Sequence, residues 1–298
     1  MSNNSTNVRI AGSLLSALGT VSPEAAGRLA FGLFCTPRGR RLPGFSPPPD
    51  AVERFPVGPG RLTSYVWAGG GPTVVLVHGW NGVASSLAPF IAPLRDAGRR
   101  VVALDLPAHG RSSGRRTTLP MAVEAVNAAV RREPEVEAVI AHSFGVPATV
   151  LAAGLGAPVP RAVLVSGPAS MDPYLQQFEV ALGLSPAVRA ALRARVRRVL
   201  DAGGLDTMEL TQVAPRLATR ALVVHDREDR DVPFLSAQAL VRAWPGAELM
   251  ATEGLGHRRI LGDPAVVDRA VRFAVGWDGP AAETPDAPAA RQLRVVGA

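Results

Sequence analysis

The sequence has no lysine. All 32 of its basic residues are arginine, set against 25 acidic ones, for a net charge of +7. They are scattered apart from short pairs such as Arg115-Arg116 and Arg197-Arg198, with no interleaved aromatics, so the charge does not read as a nucleic-acid surface. Together with abundant Ala, Gly and Pro, an all-arginine complement reads as a codon bias toward G and C. There is one cysteine, Cys35, which excludes an intramolecular disulfide and a thiolate metal cluster. A reducing, cytoplasmic setting is the default expectation, and neither a metal nor another cofactor is expected. No apolar run approaches the roughly 20 residues that a membrane span requires. The apolar patch "IAGSLLSALGTV" near the start lacks a basic segment before it and a convincing cleavage site, so a secretory signal is not expected.

What the chain does have is size and apolar content. With 298 residues and a 47% hydrophobic fraction it can bury a large core, and one body of about 250 residues with extra ends is expected. Residues 1–60 read as an N-terminal arm. A helix is predicted over 23–34, and "TPRGRRLPGFSPPPD" reads as a Pro-rich connector. This arm either packs on the body or serves a contact between two copies in a homodimer. The tail from Asp278 is rich in Ala and Pro and is expected to be disordered.

From Arg61 the pattern becomes regular. "RLTSYVWA" alternates as a strand does, and the turn Gly69-Gly70-Gly71-Pro72 leads into the apolar strand "TVVLVH". Helices predicted over 85–97, 119–131 and 146–155 then alternate with strands over 101–106, 136–141 and 161–167. The alternation breaks over 168–217, where a mostly helical insert is predicted. There Ser185 reads as an N-cap, Pro186 as the first helical residue and Gly203 as the exit. Val188, Leu192, Val196, Val199 and Leu200 form an apolar stripe on this helix. Arg189, Arg193 and Arg197 form a second stripe, read as a solvated face. Strands at "RALVVHD" and "AELMAT" and helices over 234–243 and 263–273 complete the pattern. Strand–helix alternation of this kind predicts a parallel sheet covered by helices on both faces.

In such a sheet, ligands gather beyond the carboxyl ends of the strands. His78-Gly79-Trp80, Asp105 and Ser143 follow successive strands, "HDREDRDVP" follows a fourth and "GLGHRRIL" a fifth. Ser143 sits where a buried strand turns into a helix, so it is either a helix cap or a nucleophile. A serine hydroxyl is a weak nucleophile and requires a neutral imidazole as base, oriented in turn by a carboxylate. His78 and His109 read as structural, His225 as buried at a strand end, and His142 as pointing away from the site by strand alternation. Asp226, Glu228 and Asp231 compete with Asp229 for the role of the acid.

The motifs together resemble the α/β-hydrolase superfamily, over about Arg61 to Trp277. "AHSFG" is similar to its nucleophile elbow, usually G-x-S-x-G, with Ala141 in place of the first Gly. "HGW" resembles the oxyanion loop, "DLPAHGRSS" the loop after the next strand, "HDREDRDVP" the acid turn and "GLGHRRIL" the histidine loop. The resemblance implies an α/β-hydrolase fold of about eight mostly parallel strands with a helical cap at 168–217. It implies a triad of Ser143, Asp229 and His257, with the spacing to Val232-Pro233 favouring Asp229. It further implies an oxyanion hole from the backbone N–H groups of Trp80 and Phe144, supported by His78, Gly79 and Gly145. A Ser rather than an Asp at the elbow points to acyl transfer from a small-molecule ester to water. Transfer to another acceptor, as in thioesterases, acyltransferases and cyclases, is the catalytic rival. A non-catalytic ligand binder on this fold is the other.

Overall fold

The computed structural model describes residues 2–38 and 44–277, residues 2–9 by backbone alone. The chain opens with helices α1 (Ser2–Val21) and α2 (Pro23–Phe34). The patch Ile10–Val21, weighed in the sequence only as a signal, is thus the second half of a helix. Ser22 starts α2, its hydroxyl accepting from the N–H of Ala25 at 3.2 Å, and Pro23 needs no partner at the first position.

Strands β1 (Ala51–Val57), β2 (Gly60–Trp67) and β3 (Gly71–Val77) follow, then α3 (Ile91–Asp96) and β4 (Arg99–Asp105). Next come α4 (Leu119–Arg132), β5 (Val136–His142), α5 (Gly145–Gly154) and β6 (Arg161–Val165). The insert supplies α6 (Asp172–Ala181), α7 (Pro186–Ala202) and α8 (Leu210–Val213). The chain closes with β7 (Arg220–Asp226), α9 (Leu235–Ala243), β8 (Glu248–Thr252), α10 (Gly256–Arg259) and α11 (Pro264–Ala274). Residues 39–43 of the connector and the tail from Asp278, for which disorder was expected, lie outside the described residues.

The eight strands form one sheet in the order β1-β2-β4-β3-β5-β6-β7-β8. β2 runs antiparallel to both β1 and β4, and the remaining pairs are parallel. The sheet begins at Ala51, inside the segment assigned to the arm. β1 is an exposed edge strand carrying Glu53, Arg54 and Pro56, so it has no apolar alternation to read. Central β3 is buried on both sides, with Val75 and Val77 in one core layer and Val74 and Leu76 in the other. That is why its sequence is a continuous apolar run.

The strand order also locates a crevice. β3 pairs β4 on one side and β5 on the other, so the chain reverses direction across the sheet at the ends of β3 and β5. His78 and Ser143 follow those two strands.

Above this edge lies a helical layer built from two parts of the sequence. α7 buries Val188, Leu192, Val196 and Leu200, and Ser185 caps it. α2 lies against α7 so closely that a Cβ on Gly27 would fall 2.7 Å from the Cβ of Ala191 and 2.9 Å from the nitrogen of Leu192. Leu15 of α1 and Ala26 and Ala30 of α2 are buried in the same core. The N-terminal segment is therefore packed on the insert. The arginine stripe on α7 is also not merely solvated. Arg193 pairs at 2.9 Å with Asp172 and at 2.8 Å with Glu179, whose side chain is only 2% exposed. A buried carboxylate needs such a partner to stay charged. Among the described residues, no helix is long and apolar enough to cross a membrane.

Candidate active site

Ser143 occupies a left-handed backbone conformation, φ +52°, which costs a non-glycine residue about 1–3 kcal/mol. The turn is held by the Ser143 N–H donating to the carbonyl of Val165 at 2.9 Å and by Val146 donating back to Ser143 at 2.9 Å. It also needs bare backbone on either side. A Cβ on Gly145 would lie 2.5 Å from the carbonyl oxygen of Val77, and one on Gly79 would lie 2.7 Å from the Cβ of Ser143. Ala141, where the resemblance leads one to expect Gly, is accommodated inside β5, paired with Val77 and Leu164.

From the far end of the sheet, the loop after β8 brings His257 to this turn. Its Nε2 lies 3.0 Å from the Ser143 hydroxyl, and its Nδ1 lies 2.8 Å from Oδ2 of Asp229. A carboxylate can only accept, so Nδ1 carries the proton and Nε2 is left as the acceptor for the serine O–H. The side chain of Asp229 is fully buried. Burial pushes its carboxyl up, but hydrogen bonds from His257 and from the N–H groups of Val232 and Asp231, with the attraction of His257, hold it below the ordinary range.

The competing acids are placed elsewhere. Asp226 accepts from the Thr252 hydroxyl at 2.7 Å, the Leu255 N–H at 3.0 Å and the Glu228 N–H at 3.0 Å, tying β7 to the loop that carries His257. Glu228 and Asp231 are exposed. Asp105 is a loop organiser, accepting from the Ala84 and Arg111 N–H groups and from the Tyr65 hydroxyl.

Apart from His257, the histidines serve as struts between loops. His78 donates to Gly79 at 2.7 Å and accepts from Leu106 at 3.0 Å, joining the loops after β3 and β4. His109 accepts from the Asn81 N–H at 3.2 Å, and His225 donates to Val232 at 3.0 Å. His142 differs from the sequence expectation. Its ring is directed toward the His257 loop, with Nε2 donating to the His257 carbonyl at 2.9 Å and the two rings 4.8 Å apart. Strand alternation turned it off the Ser143 side, but the loop after β8 folds back over that face.

Burial pushes His78 and His142 down to about 3, aided by the neighbouring His109 and His257 respectively. An unfolded histidine protonates near 6.5. Their contribution to stability is thus complete above pH 6.5 and is lost progressively as pH falls toward 3. Urea unfolding between pH 7 and 5 is expected to lose up to about 1.4 kcal/mol per pH unit for each of the two. His142→Gln should remove one share of that slope, and an unchanged slope would refute the assignment.

The N–H groups of Trp80 and Phe144 face no hydrogen-bond partner among the described residues. Their rings meet edge to face, centroids 5.3 Å apart, and both line a cavity of about 440 Å³ that reaches Ser143. A second, more polar cavity of about 500 Å³ also reaches Ser143 and is lined by His142, His257 and Arg258. Among the described residues, no group of three or more His, Cys, Asp and Glu side chains is placed to hold a metal ion.

The chain belongs to the alpha/beta hydrolase family, whose model matches residues 74–270. Among solved structures it is similar to the Pyrococcus furiosus esterase, at 19% identity over 82% of this chain and 98% of that one, with a TM-score of 0.64. It is also similar to an esterase from Rhodococcus sp. ECU1013 at 18% identity, over 75% of this chain and 98% of that one, TM-score 0.57. A proline iminopeptidase of Mycobacterium smegmatis stands at 16% identity, over 76% and 99%, TM-score 0.57. At these identities the likeness establishes the fold. No match to the chain is found among curated protein sequences.

Proposed function

We propose that the protein is a serine hydrolase that cleaves a small-molecule carboxylic ester through an acyl-serine intermediate. The observation that carries this reading is the continuous hydrogen-bonded series Ser143–His257–Asp229, with Ser143 on a strained turn that borders two cavities. As the Ser143 oxygen bonds to the ester carbon, its proton passes to Nε2 of His257, and the carbonyl oxygen takes the electron pair. Asp229 holds the ring in the required tautomer and stabilises the imidazolium. The N–H groups of Trp80 and Phe144 receive the negative oxygen, an interaction whose loss costs about 10²–10³ in rate per donor in related chemistry. Collapse expels the alcohol, which takes the proton from His257. Water then gives its proton to the same nitrogen and attacks the acyl carbon, and collapse returns the proton to Ser143 and releases the acid.

Among the described residues, no carboxylate lines the 440 Å³ cavity. A peptide substrate with a free amino end would find no counter-charge there, which favours the ester over the peptide bond. The test is intact mass after exposure to a fluorophosphonate, followed by a panel of p-nitrophenyl esters. One adduct on the wild type and turnover of at least one ester are expected. An unlabelled wild type would overturn the reading and favour a ligand-binding role.

A further inference from the structure

We propose that helix α2 forms one wall of the acyl site and selects an uncharged aliphatic acyl chain of medium length. This rests on the reading of Ser143 as the acylated residue. The cavity that reaches Ser143 is lined by Phe31, Leu33 and Phe34 of α2, by Phe178 of α6 and by Val199 and Leu200 of α7. Phe34 meets Phe178 edge to face, centroids 5.2 Å apart, so the N-terminal segment and the insert share one aromatic contact at the cavity. The Arg195 guanidinium covers the Phe31 ring at 5.4 Å. Cys35, at the end of the same wall, is 4% exposed, and burial pushes its thiol up to about 12. Phe31, Leu33 and Phe34 give that wall an apolar face toward the cavity.

The size and chemistry of the space define what fills it. A cavity of about 440 Å³ lies within the range that holds a ligand of many heavy atoms, so an acetyl group would leave most of it empty. Each further methylene buried against this lining is worth up to about fourfold in affinity. Among the described residues the lining carries no Asp or Glu and is mostly apolar, so a cationic acyl group finds no counter-charge there.

The experiment has two arms. In the first, kcat/KM for p-nitrophenyl esters is expected to rise about a hundredfold from acetyl to octanoyl or decanoyl, less than the full transfer value because the chain must be ordered. Phe34→Ala should lower the decanoyl value about tenfold while leaving the acetyl value within twofold, and Phe34→Leu should restore most of the loss. In the second arm, decanoate and acetate are titrated into Ser143→Ala by calorimetry, with and without Phe34→Ala. Chain-length-dependent binding that weakens on Phe34→Ala supports the wall even if no ester is turned over, in which case only the reaction is wrong. Equal loss on all esters, or decanoate binding indifferent to Phe34, would reduce α2 to a structural brace and overturn the proposal.

Discussion

Replacing Ser143 with alanine is expected to lower kcat by about 10⁴–10⁶ while leaving the fold and its unfolding transition in place. The hydroxyl lies at both cavities and 3.0 Å from Nε2 of His257, within reach of substrate and base together. The methyl of alanine fits the same turn, because what Gly79 and Gly145 accommodate is backbone and Cβ, not Oγ. The left-handed φ of +52° is retained and its cost is unchanged, so stability should move little. The residual rate would come from substrate binding and the Trp80 and Phe144 N–H groups alone. Kinetics on the best ester, with the fluorophosphonate adduct as a second readout, check this. A variant keeping more than about a tenth of the activity would remove Ser143 from the mechanism.

The second large effect is expected from Asp229→Asn, with a loss of about 10⁴ in kcat. Oδ1 of Asp229 accepts from the Asp231 and Val232 N–H groups, both at 2.9 Å. An asparagine oxygen can keep both bonds, which preserves the turn. Its amide nitrogen then faces Nδ1 of His257 and can only donate. The ring must take the other tautomer, placing a proton on Nε2 where the base is needed. Asp226→Asn is the matched control. It weakens the hold of Asp226 on Thr252 and Leu255, at a cost of about 1.5–3 kcal/mol of stability, but leaves the carboxylate beside His257. The ratio of the two kcat losses decides the question, and a larger loss in Asp226→Asn would move the acid to that position.

Much of this architecture is written in local patterns. The apolar runs of β3, β5 and β6, the capping pair Ser185-Pro186 and the position of Ser143 at a strand end all follow from side-chain period and capping chemistry within a few residues. Because a parallel sheet presents the carboxyl ends of those strands on one edge, the sequence by itself also placed His78, Ser143, the acidic turn and His257 on common ground. The resemblance favoured Asp229 over Asp226 by the spacing to Val232-Pro233. Side-chain period alone could not separate them, since both lie in one short turn and their orientation depends on where the loop after β8 comes to rest. It misread His142 for the same reason: strand alternation gives the side of the sheet, not what folds over it.

β1 and α1 were illegible on other grounds: β1 is a short edge strand whose one buried side chain is Phe55, and α1 packs through Leu15 between Gly12 and Gly19, a stripe too sparse to stand out by period. What the tertiary structure alone decided is the enclosure of the site. His257 reaches Ser143 across 114 residues, and Phe34 reaches Phe178 across a sheet's worth of chain. No local period encodes such meetings. Phe34 meets Phe178 because burying α2 against α7 removes apolar surface from water, and His257 meets Ser143 because the segment after β8 folds back over the carboxyl edge of the sheet.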